Sequence, residues 1–347
     1  MNVTAIGIDL AKVVFQAHGV GGRGKVTLRK QLKRQEMLKF FGNLPPCLIG
    51  MEACSSAHYW ARKLMEYGHT VKLMAPQFVK PYVKTNKNDA RDAEAICEAV
   101  TRPNMRFVPV KNVEQQVLLG IHRARQGFVK ARTAQANQIR GLLAEFGIVM
   151  PKGVRFLAQQ MPGILEDAEN GLPDTSRELF ARLWSHFRDL DRQMKELELQ
   201  IKTWHRHSAA SVRLEAIPGL GPLSASALVA SVGNAKAFRN GRQFAAWLGL
   251  VPRQQSSGGK EKLLGISKRG DTYLRTLLIH GARSVLFSLK RRANQAEGWL
   301  MRLAERRNPN IAAVALANKN ARIVWALLAH DRDYRAGYVS APAQVAA

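Results

Sequence analysis

Over the first hundred residues apolar positions alternate with polar ones in short runs. Residues 3–10, 13–18 and 25–30 have the period of three strands separated by short turns. Residues 47–51 and 70–74 are short apolar runs flanked by helical stretches. Three strands in a meander followed by helix-linked strands predict a mixed α/β sheet covered by helices, because the later strands need crossover connections that a hairpin does not.

From about Asn112 the period lengthens. Val117, Ile121, Ala124, Phe128, Ala131, Gln135, Ile139, Leu142 and Phe146 recur mostly at alternating spacings of four and three, which predicts a long helix with one apolar seam. After a stretch punctuated by Pro and Gly, residues 151–173, the same spacing returns at Leu183, Phe187, Leu190, Met194, Leu197, Ile201 and Trp204. Two such seams predict an antiparallel coiled coil, serving either as bundle core or in subunit pairing. From Val212 a mainly α region begins, where Ile217-Pro218-Gly219-Leu220-Gly221-Pro222 opens a helix in the manner of a helix-hairpin-helix element. Gly219 and Gly221 there either let backbone N–H groups approach a phosphate or simply connect helices. The expected division is residues 1–111, 112–211 and 212–347.

Composition adds a partner. Among 347 residues, 53 Lys and Arg against 26 Asp and Glu leave a net charge of +27, which calls for a polyanion, nucleic acid first. A membrane is not expected, since the longest apolar run, residues 311–317, falls far short of the roughly 18 residues of a spanning helix. The first residues show no secretory leader, so the expected location is the cytoplasm. Cys47, Cys54 and Cys97 form no CxxC pair and suggest neither a disulfide framework nor a zinc cluster.

One motif is a decoy. Gly19 to Lys25 fits half of a phosphate-binding loop, but Val26 stands where Ser or Thr must follow, and the next residues have strand character where that motif needs a helix. The scarce acidic residues are more informative. Asp9 and Glu52 close two predicted strands, at the edge where open α/β sheets form their sites. Asp89 and Asp92, three apart on a predicted helix, share a face. Taken singly, each has a bland role: Asp89 or Glu52 as a helix cap, Asp92 as an ion-pair partner. Taken together they form a carboxylate set that repels itself unless a hard divalent cation neutralises it.

These residues also carry a resemblance. Gly7-Ile8-Asp9-Leu10-Ala11-Lys12, Met51-Glu52-Ala53 and Asn86-Lys87-Asn88-Asp89-Ala90-Arg91-Asp92-Ala93 resemble the DEDD domain of the insertion-sequence one-ten transposases, relatives of the Piv and MooV recombinases. Ile217-Pro218-Gly219-Leu220-Gly221, Phe244-Ala245-Ala246-Trp247-Leu248-Gly249 and the segment from Ser256 to Arg275 resemble that family's C-terminal transposase domain, so the likeness spans nearly the whole chain. It implies an RNase H-like, RuvC-like N-terminal fold and a DNA transposase in which Asp9, Glu52, Asp89 and Asp92 hold Mg2+, with Mn2+ as a substitute. It implies a serine nucleophile that forms a covalent phosphoserine link to DNA. That serine is Ser257 by its place before Gly258, or Ser256 if the register slips by one. The implied partners are donor and target DNA, a structured noncoding guide (bridge) RNA, and further copies of the chain as a homodimer or homotetramer, acting in the bacterial cytoplasm at the nucleoid. Gly219, Gly221, Lys260, Lys262, Lys268, Arg269 and Arg275 are the expected nucleic-acid contacts.

Two other readings of the same residues stay open. One is a hydrolytic RuvC-like two-metal nuclease or junction resolvase without a covalent intermediate. The other is a non-enzymatic architectural binder, in which the basic loop around Lys260 to Arg269 only contacts phosphates.

Overall fold

The computed structural model describes residues 3–84, 88–291 and 298–337, within two compact units, Met1–Gln116 and Val117–Ala347. The first unit runs β1 (Ala5–Leu10), β2 (Val14–Val20), β3 (Val26–Lys33), α1 (Met37–Gly42), β4 (Leu48–Glu52), α2 (Ala57–Glu66), β5 (Thr70–Met74), α3 (Pro76–Val79), α4 (Asp89–Val100) and β6 (Phe107–Val108). Its six strands lie in the order β3-β2-β1-β4-β5-β6, with β1, β2 and β3 antiparallel, β1, β4 and β5 parallel, and β6 antiparallel to β5. The expected mixed sheet is therefore present. β6 went unread in the sequence because two residues carry no period. The Gly19–Lys25 decoy is a β-hairpin turn: Gly21 donates to Lys25 O at 2.9 Å and Gly24 takes a positive φ of 72°.

Strand alternation divides the sheet into two faces. Ile6, Ile8, Phe15, Ile49 and Met51 form one core with Met37 and Phe41 of α1 and Trp60 and Leu64 of α2. On the other face, Gly7 of β1 pairs with Gly50 of β4, and α4 packs there. A Cβ on Gly7 would strike Ala93 O and Cys97 N, and one on Gly50 would stand 2.7 Å from Val100 Cβ. Two missing side chains bring the helix backbone down onto the sheet.

The second unit takes in most of α5 (Val113–Ala144), then α6 (Val154–Glu166), α7 (Asp174–His207), α8 (Ala209–Glu215), α9 (Pro222–Val232), α10 (Gly241–Trp247), β7 (Pro252–Ser257), β8 (Lys260–Ile266), α11 (Thr272–Arg291), α12 (Trp299–Arg306) and α13 (Pro309–His330). It is mostly helical. α5 and α7 run antiparallel: Arg125 pairs with Glu198 and Arg132 with Asp191, so the partner's number falls as the first rises. The buried residues of α5 are Leu118, His122, Gln135, Ala136, Ile139 and Leu143, so Gln135 and Ile139 of the expected seam are buried and its remaining positions are corrected. Val117 is 57% exposed, and Leu142 and Phe146 are also exposed. The reason is chemical: two positions of the true stripe, Arg125 and Arg132, are charged and buried in part by ion pairing, so hydrophobicity alone shifts the stripe by one residue.

At the end of α7, buried His205 links Ser211 Oγ of α8, at 2.8 Å, with Glu215 Oε2, at 2.9 Å. Ser211 is fully buried, so this Ser–His–Glu arrangement fastens two helices and offers no hydroxyl to a substrate. The remaining helices enclose a core of Leu214, Leu228, Phe244, Leu248, Leu278, Ala317 and Val324. By length and composition α13 is apolar enough to cross a membrane, which the short run at 311–317 did not suggest. Its Ala312, Ala313, Ala317, Ala321 and Val324 are instead buried within this core, against α10 and α11.

Candidate functional site

The carboxylates are delivered by the strands and helix just described. Ile8 pairs with Met51 across the parallel β1–β4 ladder, so Asp9 and Glu52 are the next residues at the same end of neighbouring strands. On α4, Asn88 caps the helix by accepting from the Ala90 N–H at 3.0 Å, and Asp89 is not needed as a cap. Asp89 and Asp92 occupy the first turn. With α4 held against Gly7, one carboxylate oxygen from each of Asp9, Asp89 and Asp92 lies within 4.8 Å of the others. Asp89 is exposed, and Asp9 and Asp92 are half-buried. Glu52 is outside that close group, one strand away. The Cys54 thiol is pushed above its ordinary pKa by desolvation first and then by the charges of Glu52 and Asp9, both of which it therefore neighbours. Asn86 and Lys87, the start of the motif, lie outside the described residues.

Three oxygen donors at this spacing suit a hard divalent cation, and like charges so close favour its binding. The sequence showed the carboxylates but not what gathers them. The available signal was Gly7, a small residue inside a strand two positions before Asp9, which marks a close backbone approach.

Ser257 is the last residue of β7, at the tip of an antiparallel hairpin in which it pairs with Lys260. Gly258 and Gly259 form the turn, both at positive φ (56° and 75°). Every residue of β7 is exposed. The two serines differ. Ser256 Oγ accepts from Gln254 Nε2 at 2.9 Å, whereas the Ser257 side chain makes no hydrogen bond among the described residues. The hairpin's base is tied down: Ser267 N donates to Val251 O at 2.8 Å and Lys268 N to Gly249 O at 3.1 Å.

Lys260, Lys262, Lys268 and Arg269 are all exposed on or beside this hairpin. Arg275 is not among them. It is only 8% exposed, and its guanidinium donates to Leu248 O at 3.2 Å and Thr272 Oγ1 at 3.1 Å, so it braces α11 against the end of α10 and has no surface to offer a phosphate. Gly219 has a structural occupation too. At φ 90°, a Cβ there would stand 2.8 Å from Gly281 O, so the glycine lets the turn meet α11 backbone to backbone. Gly221 precedes α9 with open space around it.

The chain-long spacing gave no sign of buried His122, whose ring meets Tyr273 Oη at 3.0 Å and Ser226 Oγ at 3.1 Å. It joins α5, α9 and the start of α11, just beyond the hairpin. Burial, and after it the charge of Arg125, lowers its pKa to about 4, so the ring is neutral at pH 7.

Comparison with known proteins gives a consistent result. Residues 6–148 match the family model described as the DEDD transposase of IS110, and residues 211–296 match the model of the IS116/IS110/IS902 transposase family. A Pseudomonas aeruginosa protein described as "Probable family 20 transposase" is 54% identical over 97% of this chain and 100% of its own length. The transposase for insertion sequence element IS1111A of Coxiella burnetii is 44% identical, covering 97% of this chain and 92% of the relative. That for IS1328 of Yersinia enterocolitica is 43% identical, covering 93% and 96%.

Proposed function

Since this chain belongs to the IS116/IS110/IS902 family of transposases, we propose that it moves its own insertion sequence by cutting and rejoining DNA through a phosphoserine intermediate. The observation that carries this reading is the meeting of Asp9, Asp89 and Asp92, from a strand and a separate helix, within 4.8 Å. The strand order β3-β2-β1-β4-β5-β6 with α4 across one face supports an RNase H-like, RuvC-like domain at residues 1–111. Residues 112–211 are then a coiled-coil region built on the antiparallel α5–α7 pair, and residues 212–347 are the domain that bears the serine.

The all-oxygen donor set fits Mg2+, or Mn2+ in its place, held by Asp9, Asp89 and Asp92 with Glu52 at the same sheet end. Bound there, the ion would supply positive charge to the oxygens of a scissile phosphate. Ser257 Oγ attacks the phosphorus. A bond forms between Oγ and phosphorus, the bond to one sugar oxygen breaks, the serine proton passes to solvent and the leaving oxygen takes one up. Attack by a free hydroxyl of a second strand on the phosphoserine runs the same exchange backwards and restores Ser257. The open hydroxyl of Ser257, against the occupied one of Ser256, supports the choice between them.

Lys260, Lys262, Lys268 and Arg269 hold the DNA backbone beside the serine. The net charge of +27 is suited to donor and target DNA together with a guide RNA, and the nucleic acid would offset the repulsion between copies of the chain in a dimer or tetramer acting in the bacterial cytoplasm. The test is trapping. A suicide DNA substrate made from the element's own end should leave an adduct on the peptide containing Ser257, and magnesium chelation should prevent it. Metal-dependent cleavage with no adduct, persisting in the Ser256→Ala, Ser257→Ala double variant, would replace this reading with the hydrolytic nuclease. RNA recovered with the protein from its host and transcribed from the element's flank would support the guide.

A further inference from the structure

The line of side chains that begins at Asp9 continues across the sheet. Asp9 pairs with Gln16 on β2, and Gln16 pairs with Gln31 on β3. Direct partners in antiparallel ladders point to the same face, so Asp9, Gln16 and Gln31 form a row. Two residues inward along β1, Gly7, His18 and Arg29 form a second row on that face. It is the face against which α4 packs, because a Cβ on Gly7 would strike that helix.

A pocket of about 420 Å³ lies there, and its walls include Gln16, His18, Arg29, Gln31, Arg91 and Glu94. Its chemistry is polar and cationic. The Glu94 carboxylate is matched by Lys84 Nζ at 3.6 Å. Arg29 makes no ion pair among the described residues. His18 is the telling member: it is only 5% exposed, lines the pocket, and its ring makes no hydrogen bond among the described residues. An imidazole that lines a cavity and has no partner in the protein is positioned to bond whatever enters it. The volume falls within the range of about 300–1,000 Å³ that encloses small polar ligands. The same first turns of α4 supply Asp89 and Asp92 to the carboxylate group and Arg91 and Glu94 to the pocket, so the two are contiguous.

We infer that this pocket is a DNA subsite, holding the nucleotide next to the phosphate that meets the carboxylates. Arg29 takes the phosphate of that nucleotide. The Gln16 and Gln31 amides, each with a donor and an acceptor, bond the base or sugar edge, and His18 supplies the innermost hydrogen bond. These residues position the strand. They do not touch the reacting atoms, and the assignment rests on the transposase reading above.

The test uses the full chain, calcium in place of magnesium, and an oligothymidylate carrying one photoactivatable 4-thiothymidine. Crosslinks should map to residues 14–33, and Arg29→Ala with Gln31→Ala should lower their yield by about thirtyfold or more, the effect of losing one charged and one neutral hydrogen bond. Both side chains are exposed, so the fold should persist. Gln31→Glu should lower the yield as well, by repelling the phosphate. Mn2+ affinity, measured separately, should not change in either variant. Wild-type crosslinks confined to other segments, or a yield unaffected by both variants, would overturn the subsite while leaving the transposase reading intact. Crosslinking of the matching RNA oligonucleotide in preference to DNA would overturn the assignment to DNA. A parallel loss of Mn2+ binding would make the row a support of the carboxylates and overturn it as a strand site. Failure of the wild type to bind Mn2+ at all would instead count against the metal centre.

Discussion

Gly7 and Gly50 pair across the parallel β1–β4 ladder, and α4 meets Gly7 at its backbone and Gly50 through the Val100 side chain. Asp89 and Asp92 ride on that helix, and Asp9 lies two residues beyond Gly7 on the same strand face. The carboxylate spacing therefore depends on the absence of two methyl groups elsewhere.

Gly7→Ala should push α4 off the sheet and weaken Mn2+ binding without altering any ligand. Overpacking of this kind costs roughly 1–3 kcal/mol, so a lower melting temperature should accompany it. Calorimetric titration with Mn2+ decides the matter. An unchanged affinity would show that the helix reaches its place without the glycine.

Asp92→Asn should abolish strand cleavage and lower Mn2+ affinity while leaving thermal stability unchanged or slightly raised. The replacement removes one of three mutually repelling charges and keeps the shape. Cleavage at the wild-type rate by the purified variant would mean that this carboxylate plays no part in metal binding.

Replacing Lys260, Lys262, Lys268 and Arg269 together should flatten the dependence of DNA affinity on salt. Every phosphate that the variant no longer neutralises reduces the slope of log affinity against log salt by about 0.9 on duplex DNA. Polarisation titrations across a salt series would measure it, and an unaltered slope would show that these side chains face water. Adding Arg275 to the set is expected to damage folding instead, because its guanidinium is spent on Leu248 and Thr272.

The buried His122 makes a prediction about pH. Its folded pKa of about 4 lies below the ordinary value of 6.5. The unfolded chain thus takes up the proton first as the solution is acidified. Its contribution is complete above pH 6.5, declines below that, and is lost as pH falls through 4, a change on the order of 3 kcal/mol. Melting curves of the wild type and His122→Gln between pH 4 and 7 should converge toward the acid end. Parallel curves would assign the acid sensitivity to other groups.

The sequence announced some of this and concealed the rest for physical reasons. Strands β1 to β5 were legible because their apolar runs are bounded by turns, and the 70–74 run coincides with Thr70–Met74. Asp9, Asp89 and Asp92 were visible because carboxylates are scarce in so basic a chain. The first half of the α5 seam was misplaced because Ala124 and Ala131 were counted, whereas the half-buried positions beside them are the charged Arg125 and Arg132. Arg275 was grouped with surface cations because composition cannot distinguish a cation that faces water from one that donates to a carbonyl. His122 has partners 151 and 104 residues away, and no local pattern announces pairings at such separations.

The ion pairs between α5 and α7 bear on how this chain tolerates changes in length. Arg125 and Arg132 are seven residues apart, as are Asp191 and Glu198. Each helix thus carries a fixed interval that its neighbour must match, and the connector between them carries none. Insertions in the loops on either side of α6, which is itself packed against the pair, can lengthen the link without moving either ion pair. A single added residue between positions 125 and 132 would rotate one arginine by about 100° away from its carboxylate. Natural variation in the length of this region should therefore collect in the connector, or else arrive as whole seven-residue units added to or removed from both helices at once.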